Sequence, residues 1–379
     1  MLDRGELVSH LSARVIVVGG GILGTMHAVF AIKTGATVVH IDRHREPRGA
    51  SVRNFGLVLV SGRAAGPELA LALRARELWE MVGRDVPATG FRPTGSITVV
   101  SSEAELQVLT AAVARGDADE RGLSLIDAIE ARRRNPGLKG QFLAGLHCSK
   151  DAAVEPRQLL GALREWLAAS GRYEYLAPRE VLDIRDREVL DSSGVSHRGD
   201  LVVLCLGALS SGPLLPLFAG ADLQAVRLQM AQTEPLGRDL TTCVADGNTL
   251  RYYPAHSDLA ARLLGPKDEE LARFGIQLLC LQRLDGSLTL GDTHEYEQPF
   301  AFELSDQAID LVAELARKVV GPPFPRIRRR WSGIYHQLAQ PSAEKLYLRR
   351  EVAPGVLAVT GAGGRGMTLA PAIAQDTFA

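Results

Sequence analysis

Cysteine is scarce: Cys148, Cys205, Cys243 and Cys280 are the only four in 379 residues. None forms a CxxC pair or stands near histidines at zinc-ligand spacing. That excludes a disulfide framework and a structural zinc site, and makes a reducing cytoplasm the expected location. Net charge is nearly absent as well, −1 from 43 Lys+Arg against 44 Asp+Glu, so the chain lacks the basic footprint of a nucleic-acid binder. Only six of the basic residues are lysine; genome base composition explains an arginine bias as readily as anion recognition does, and little rests on it. No long uninterrupted apolar run exists. The longest, Val15 to Ile32, is broken by Gly19, Gly20, Gly21, Gly24 and His27, which suits a strand, a turn and a helix better than a membrane span. Met1 to His10 carries Asp3 and Glu6 and no apolar core, so no signal peptide is expected.

The abundant residue is glycine, 38 in all, about 10% against a typical ~7%. The length fits two or three domains, and 46% hydrophobic with 23% charged residues is ordinary globular composition. There is no Gly-X-Y period, so the positions of the glycines matter. Ala13 to Val18 is a short, β-branched run with the character of a buried parallel strand. It leads into Gly19-Gly20-Gly21-Ile22-Leu23-Gly24, a helical stretch from Thr25 to Thr34, and a second strand, Thr37 to Ile41, ending on Asp42. This is GxGxxG on Gly19, Gly21 and Gly24 in its required setting. The glycines let backbone approach a pyrophosphate, and the helix start, with Ile22 and Leu23, offers N–H groups and a positive dipole end. Asp42 stands where a carboxylate accepts hydrogen bonds from ribose hydroxyls, which disfavours NADP.

After Asp42 the chain does not proceed to a further strand–helix unit. It enters a basic segment from Arg43 to Arg53 that contains Ala50-Ser51-Val52-Arg53-Asn54-Phe55-Gly56. This segment resembles the Gly-Ala-Ser-x-x-Asn-x-Gly loop of the D-amino-acid oxidase and glycine/sarcosine oxidase superfamily of flavoproteins. Val154-Glu155-Pro156 resembles that family's Val-Asp-Pro helix start. Gly199 to Ser210, with Gly207, resembles its second FAD fingerprint. Val356 to Pro371, with Gly361, Gly363, Gly364, Arg365, Gly366, Met367 and Thr368, resembles its C-terminal signature. The last segment also reads physically as a buried strand feeding a glycine-rich loop and a helix, so the protein carries two anion-receptive helix starts. One suits pyrophosphate and the other the flavin edge where charge accumulates on reduction. FAD, held non-covalently, is the expected cofactor. The resemblance assigns Gly19, Gly21, Ile22, Leu23, Gly24, Asp42, Arg43, Ser51, Asn54, Gly56, Val181, Gly207, Gly361, Gly364, Gly366, Met367 and Thr368 to it.

The expected fold class is α/β: a Rossmann-like FAD-binding domain with a parallel sheet, from residues 1–85, 150–215 and 335–379, plus a substrate domain with a mainly antiparallel sheet and helices, from 86–149 and 216–334. Gly95–Val100, Gln229–Thr233, Leu250–Tyr253 and Ser287–Leu290 read as strands of that sheet, and Leu106–Ala114 and Asp306–Val320 as helices.

The resemblance implies oxidation of a C–N bond: hydride transfer to flavin N5, then hydrolysis of the imine to a carbonyl product, with dioxygen or another acceptor reoxidising the flavin. Positioning is expected to suffice, without a catalytic triad. Arg330-Trp331-Ser332-Gly333-Ile334-Tyr335-His336 resembles the family's Trp-Ala-Gly-Leu-Arg-Pro strand, but Tyr335 stands where the family's arginine clamps a carboxylate, and that exchange is not conservative. The candidate substrate residues are Tyr335, His294, Arg365, Tyr252 and Gln229. Asp292, His294 and Glu295 are not expected to share a metal ion, because neighbours in an extended segment face opposite ways. Gly291 to Tyr296, with Arg53 to Gly56 and Arg330-Trp331, resembles a subfamily associated with aminophosphonate breakdown. That implies an N-alkylated 2-aminoethylphosphonate as substrate and phosphonoacetaldehyde as product. The alternatives left open are an amino-acid oxidase or dehydrogenase (glycine, sarcosine or a D-amino acid) and a non-catalytic FAD-binding subunit of a larger complex.

Overall fold

The computed structural model of the chain describes residues 13–208, 211–342 and 344–379; Met1 to His10, and Leu209-Ser210 at the end of the second fingerprint, lie outside them. A six-stranded sheet has the order Leu348–Ala353, Val356–Thr360, Leu201–Leu204, Arg14–Val18, Thr37–Ile41, Tyr173–Leu176. All neighbours in it are parallel except the first edge pair. The continuous apolar run Val15–Val18 is buried because both faces of the sheet are covered. The helices Ile22–Lys33, Pro156–Ala168 and Gly366–Phe378 cover one face, and a small antiparallel sheet that includes Val181 and Val189 covers the other. Pro156 occupies the first turn of its helix, where its missing N–H costs nothing.

The second sheet has eight strands in the order Ile327–Leu338, Leu223–Pro235, Ser287–Gly291, Leu279–Gln282, Cys243–Asp246, Ser96–Val100, Ala144–Cys148, Leu123–Asp127. One pair, Cys243–Asp246 with Ser96–Val100, is parallel and the rest are antiparallel. The helix Asp306–Val320, capped by Ser305 Oγ on Ala308 N–H, buries its apolar stripe against this sheet. The α/β class read from the sequence is the observed one.

Two expectations need correction. Leu250–Tyr253 is not a strand: Thr249–Tyr252 is a short helical turn, started by Asp246, which accepts hydrogen bonds from Asn248 N–H and Nδ2 while its carbonyl accepts from Thr249 Oγ1. The division at residues 334 and 335 falls inside one strand. Ile327–Leu338 pairs along its whole length with Leu223–Pro235, so it belongs entire to the larger sheet. Among the described residues no helix is long and apolar enough to cross a membrane.

His27, His40 and His256 are each pushed down to about 4 by burial, so they stay neutral where unfolded histidines, near 6.5, bind protons. Their contribution to stability is full above about pH 6.5 and is lost as pH falls towards 4. Asp246, whose carboxyl is pushed up to about 6 by burial, works in the opposite sense below pH 6 and offsets part of this. The melting temperature is therefore expected to fall on acidification below about pH 6.5; a curve flat down to about pH 5 would contradict it.

Candidate active site

The parallel strands Arg14–Val18, Leu201–Leu204 and Val356–Thr360 end side by side, and the chain leaves each through glycine-containing backbone. Ligands of open parallel sheets bind beyond such strand ends. A cavity of about 1090 Å³ opens there and runs on to the larger sheet, just above the usual range for one small-molecule pocket.

At the dinucleotide end the turn is tightly specified. A Cβ on Gly24 would lie 1.9 Å from Gly19 O, and one on Gly19, at φ +109°, 2.2 Å from Cys205 O. Asp42 Oδ2 accepts from Gly20 N–H at 2.5 Å, and Arg164 donates to Gly20 O at 2.6 Å. His40 Nε2 donates to Gly19 O at 2.9 Å, which leaves Nδ1 of the neutral ring to accept from Tyr173 O–H. The helix that follows has no side-chain cap at Gly21. Ser51 Oγ, from the next loop, accepts from Ile22 N–H at 2.9 Å. Asn54 braces that loop, donating to Ala50 O and accepting from Gly56 N–H. The last helix likewise starts at Arg365 without a side-chain cap. Two helix starts that lack a cap from their own N-cap residue thus belong to one site.

Gly19, Gly21, Ile22, Leu23, Asp42, Arg43, Ser51, Asn54, Gly207, Gly361, Gly364, Gly366 and Met367 all line the cavity. Val181 lines a smaller pocket that shares Gly19, Asp42, Arg43 and Leu206 with the main one. Three assigned residues sit behind the wall. Gly24 allows the helix its close approach to the turn. Gly56, at φ +75°, would place a Cβ 2.2 Å from Val154 O. Thr368 is buried, its Oγ1 accepting from Leu59 N–H.

At the other end, Tyr252, Tyr335, His294 and Arg365 line the cavity. The Tyr335 hydroxyl is buried without a hydrogen-bond partner, and burial pushes its pKa far up. The rings of Tyr252 and His294 lie 4.5 Å apart. Gln229 does not reach the cavity: its amide donates to Glu295 Oε1 at 2.7 Å and accepts from Ser305 N–H at 2.7 Å, which corrects its candidacy as a substrate residue. Arg227 also binds Glu295 and donates to the Ala301 carbonyl. Two side chains of one strand therefore hold the rim loop Glu295–Ser305, whose Phe302 is 97% exposed. His294 lines the cavity, whereas the Glu295 carboxylate is taken up by Arg227 and Gln229.

Sequence reading missed Arg63. It stands within small and apolar residues, and that isolation was the available signal. It is 5% exposed, lines the cavity, and shares Glu68 with Arg365. Arg365 Nε lies 2.6 Å from Glu68 Oε1 and Arg63 Nη1 3.8 Å, so two cations face one buried carboxylate and an anion is favoured beside them.

The FAD dependent oxidoreductase family, DAO, matches residues 14–378. This chain belongs to that family. FAD is the cofactor of this DAO-family oxidoreductase, and the geometry fits it: open helix starts at Gly21 and Arg365, Asp42 beside the turn, and an orphaned Tyr335 hydroxyl in the far wall. A glycine oxidase of Pseudomonas aeruginosa is 28% identical over 293 residues, 76% of this chain and 72% of that protein. The fold is similar to glycine oxidase from Bacillus cereus (TM-score 0.77, 19% identity, 97% of this chain and 94% of that one). It is also similar to iminodiacetate oxidase from Chelativorans sp. BNC1 (TM-score 0.75, 20% identity, 96% and 94%), and to L-alpha-glycerophosphate oxidase from Mycoplasma pneumoniae with FAD bound (TM-score 0.69, 16% identity, 96% and 93%).

Gly24→Ala is expected to displace the first helix from the turn and strip FAD from the purified protein. Ser51→Ala removes one cap-like hydrogen bond, costs about 1 kcal/mol, and should leave FAD bound. Flavin content and melting temperature of the two variants check this.

Proposed function

We propose that this DAO-family enzyme oxidises the C–N bond of a small amine that also carries an anionic group, with an N-alkylated 2-aminoethylphosphonate as the substrate and phosphonoacetaldehyde as the product. The observation that carries this reading is the pair of cavity-lining arginines, Arg63 and Arg365, sharing the single carboxylate of Glu68, while Tyr335 occupies the strand position of the resembled arginine clamp. A tetrahedral dianion suits two cations and phenolic donors better than it suits one planar fork. The relatives named for glycine and iminodiacetate support an amine with an acid nearby. Four free buried cysteines accord with a reducing cytoplasm.

Bound FAD supplies the two-electron acceptor. The chain's own residues hold the substrate. Arg365 and Arg63 bind the anion, the hydroxyls of Tyr335 and Tyr252 donate to it, and the His294 ring closes the wall. Enclosure keeps water from the reacting carbon and strengthens each of these contacts.

Anaerobic bleaching of the holoenzyme distinguishes the substrates. N-methyl-2-aminoethylphosphonate is expected to reduce the flavin faster than glycine, sarcosine or D-alanine, and faster reduction by the amino acids would turn the reading to an amino-acid oxidase. Hydrogen peroxide formation on readmitting air identifies dioxygen as the acceptor. Failure of every amine to bleach the flavin would leave a non-catalytic FAD-binding subunit.

Tyr335→Phe should raise KM with FAD retained, by roughly tenfold for one lost hydrogen bond to a charged group. Arg365→Ala should cost more, and it also leaves Glu68 with a distant partner, so melting temperature is measured beside the kinetics. Wild-type kinetics in both variants would remove these residues from the site.

A further inference from the structure

One carboxylate in the cavity wall has no partner to match it. Asp292 is 5% exposed and lines the cavity. Among the described residues its one side-chain hydrogen bond is a long one, from Gln277 Nε2 at 3.4 Å, and no arginine or lysine lies within ion-pair distance of it. The other buried acids differ. Asp151 accepts from Val60 N–H, Ser61 N–H and the hydroxyls of Ser61 and Ser96. Asp191 binds Arg179, Ser193 and His197, and Glu155 pairs with Arg92 and Arg283. A buried charge is ordinarily matched in this way.

A second acceptor stands beside it. Gln277 is 2% exposed, lines the same cavity, and its Oε1 is buried without a partner. Aromatic residues line the same cavity. Tyr252 and Tyr253 come from the short helix and the residue after it, Tyr335 from the long strand, and His294 and Tyr296 follow Asp292 in the chain. The His294 ring lies 4.5 Å from that of Tyr252, tilted by 37°, and 6.5 Å from that of Tyr296, nearly parallel to it. Two unmatched acceptors in one buried corner of a cavity make a cation site. Arg63 and Arg365 line the same cavity, so its far end carries both signs of charge.

We propose that Asp292 is the group that receives the substrate's ammonium, with Gln277 Oε1 as second acceptor, and takes one proton from it. This rests on reading the substrate as an amine. An aliphatic amine in neutral water is protonated, with a pKa near ~10 as in lysine, and oxidation at the adjacent carbon needs its nitrogen lone pair free. In the transfer an N–H bond breaks, an O–H bond forms on the Asp292 carboxylate, and the electron pair stays on nitrogen; nothing is oxidised or reduced in this step. Burial raises the Asp292 carboxyl above its ordinary value, which makes it a better proton acceptor. Burial also raises all four tyrosines, so their hydroxyls keep their protons and Asp292 is the group that takes the one from the ammonium. The expectation that positioning alone suffices is amended accordingly.

The test uses holoenzyme with its flavin chemically reduced under argon, so that nothing turns over. Calorimetric titration compares N-methyl-2-aminoethylphosphonate with ethylphosphonate, and glycine with acetate; each pair differs by its nitrogen. Wild type should prefer the amine of at least one pair. Asp292→Asn should weaken that amine by roughly 10–100-fold and leave its nitrogen-free partner unchanged, which also shows the cavity intact. His294→Gln should weaken both members alike, and Asp292→Glu should restore part of the preference. No preference in wild type for either amine, or equal effects of Asp292→Asn on both members of the pair, would overturn the proposal. If the amine binds through Asp292 yet never bleaches the oxidised enzyme, the oxidase reading falls and the ammonium site stands. If Asp292→Asn is bleached as fast as wild type across pH, the ammonium site falls and the oxidase reading stands.

Discussion

Three parallel strands, Arg14–Val18, Leu201–Leu204 and Val356–Thr360, end at one level, and the site depends on that alignment. Parallel strands far apart in sequence are joined only through long crossovers, so their common end gathers loops from three regions of the chain. The first and last of these strands also lead into helices whose N-cap residues, Gly21 and Arg365, supply no side-chain cap. Neither helix start would be an anion site of much strength alone. Their convergence on one cavity makes a place for a long ligand with charge at the pyrophosphate and at the flavin. The glycines matter because the approach is so close: Gly24 touches the turn through a gap no side chain could enter.

The dinucleotide end was legible in the sequence because it is built from consecutive residues. Gly19 to Gly24, the strand after them and Asp42 carry their geometry locally, and the loop holding Ser51 and Asn54 follows within a few residues. The amine end was legible only in pieces. Tyr252, Tyr335, His294 and Arg365 could be named as polar residues in the right segments, but what makes them a site is the packing of a helix, a strand and two loops. Arg63 escaped notice because nothing beside it in sequence explains it; its partner Glu68 and the distant Arg365 do. Gln229 was misplaced for a related reason. A strand residue faces one of two sides, and the register with its neighbours turned this one towards the rim loop. Leu250–Tyr253 looked like a strand because of its tyrosines, yet the Asp246 turn before it decided otherwise.

The phosphate turn and the cavity's far end solve opposite electrostatic problems. Behind the turn, His40 is kept neutral by burial and serves as a hydrogen-bonding strut, so rigidity comes without added charge. At the far end, charge is retained and left partly unmatched: Arg63 and Arg365 against Glu68, and Asp292 against nothing. Unmatched buried charge is costly to the empty protein. A ligand bearing the complementary charges relieves that cost on arrival, so part of the binding energy is already present in the fold before the ligand arrives.

The rim loop has a consequence for how such a site can change. Glu295 and Ser305 are gripped from behind by Arg227 and Gln229, side chains of a strand that belongs to the core of the larger sheet. The span between those grips, held once more at the Ala301 carbonyl by Arg227 and with Phe302 exposed, lines the cavity from Tyr296 to Phe302. Substitutions from Gln298 to Phe302 therefore change the size and polarity of the cavity lining, while the side chains carried by the sheet and by the two helix starts keep their places. The fold thus carries part of the cavity wall on a short stretch of chain whose sequence is free of the demands that fix the sheets and the phosphate turn.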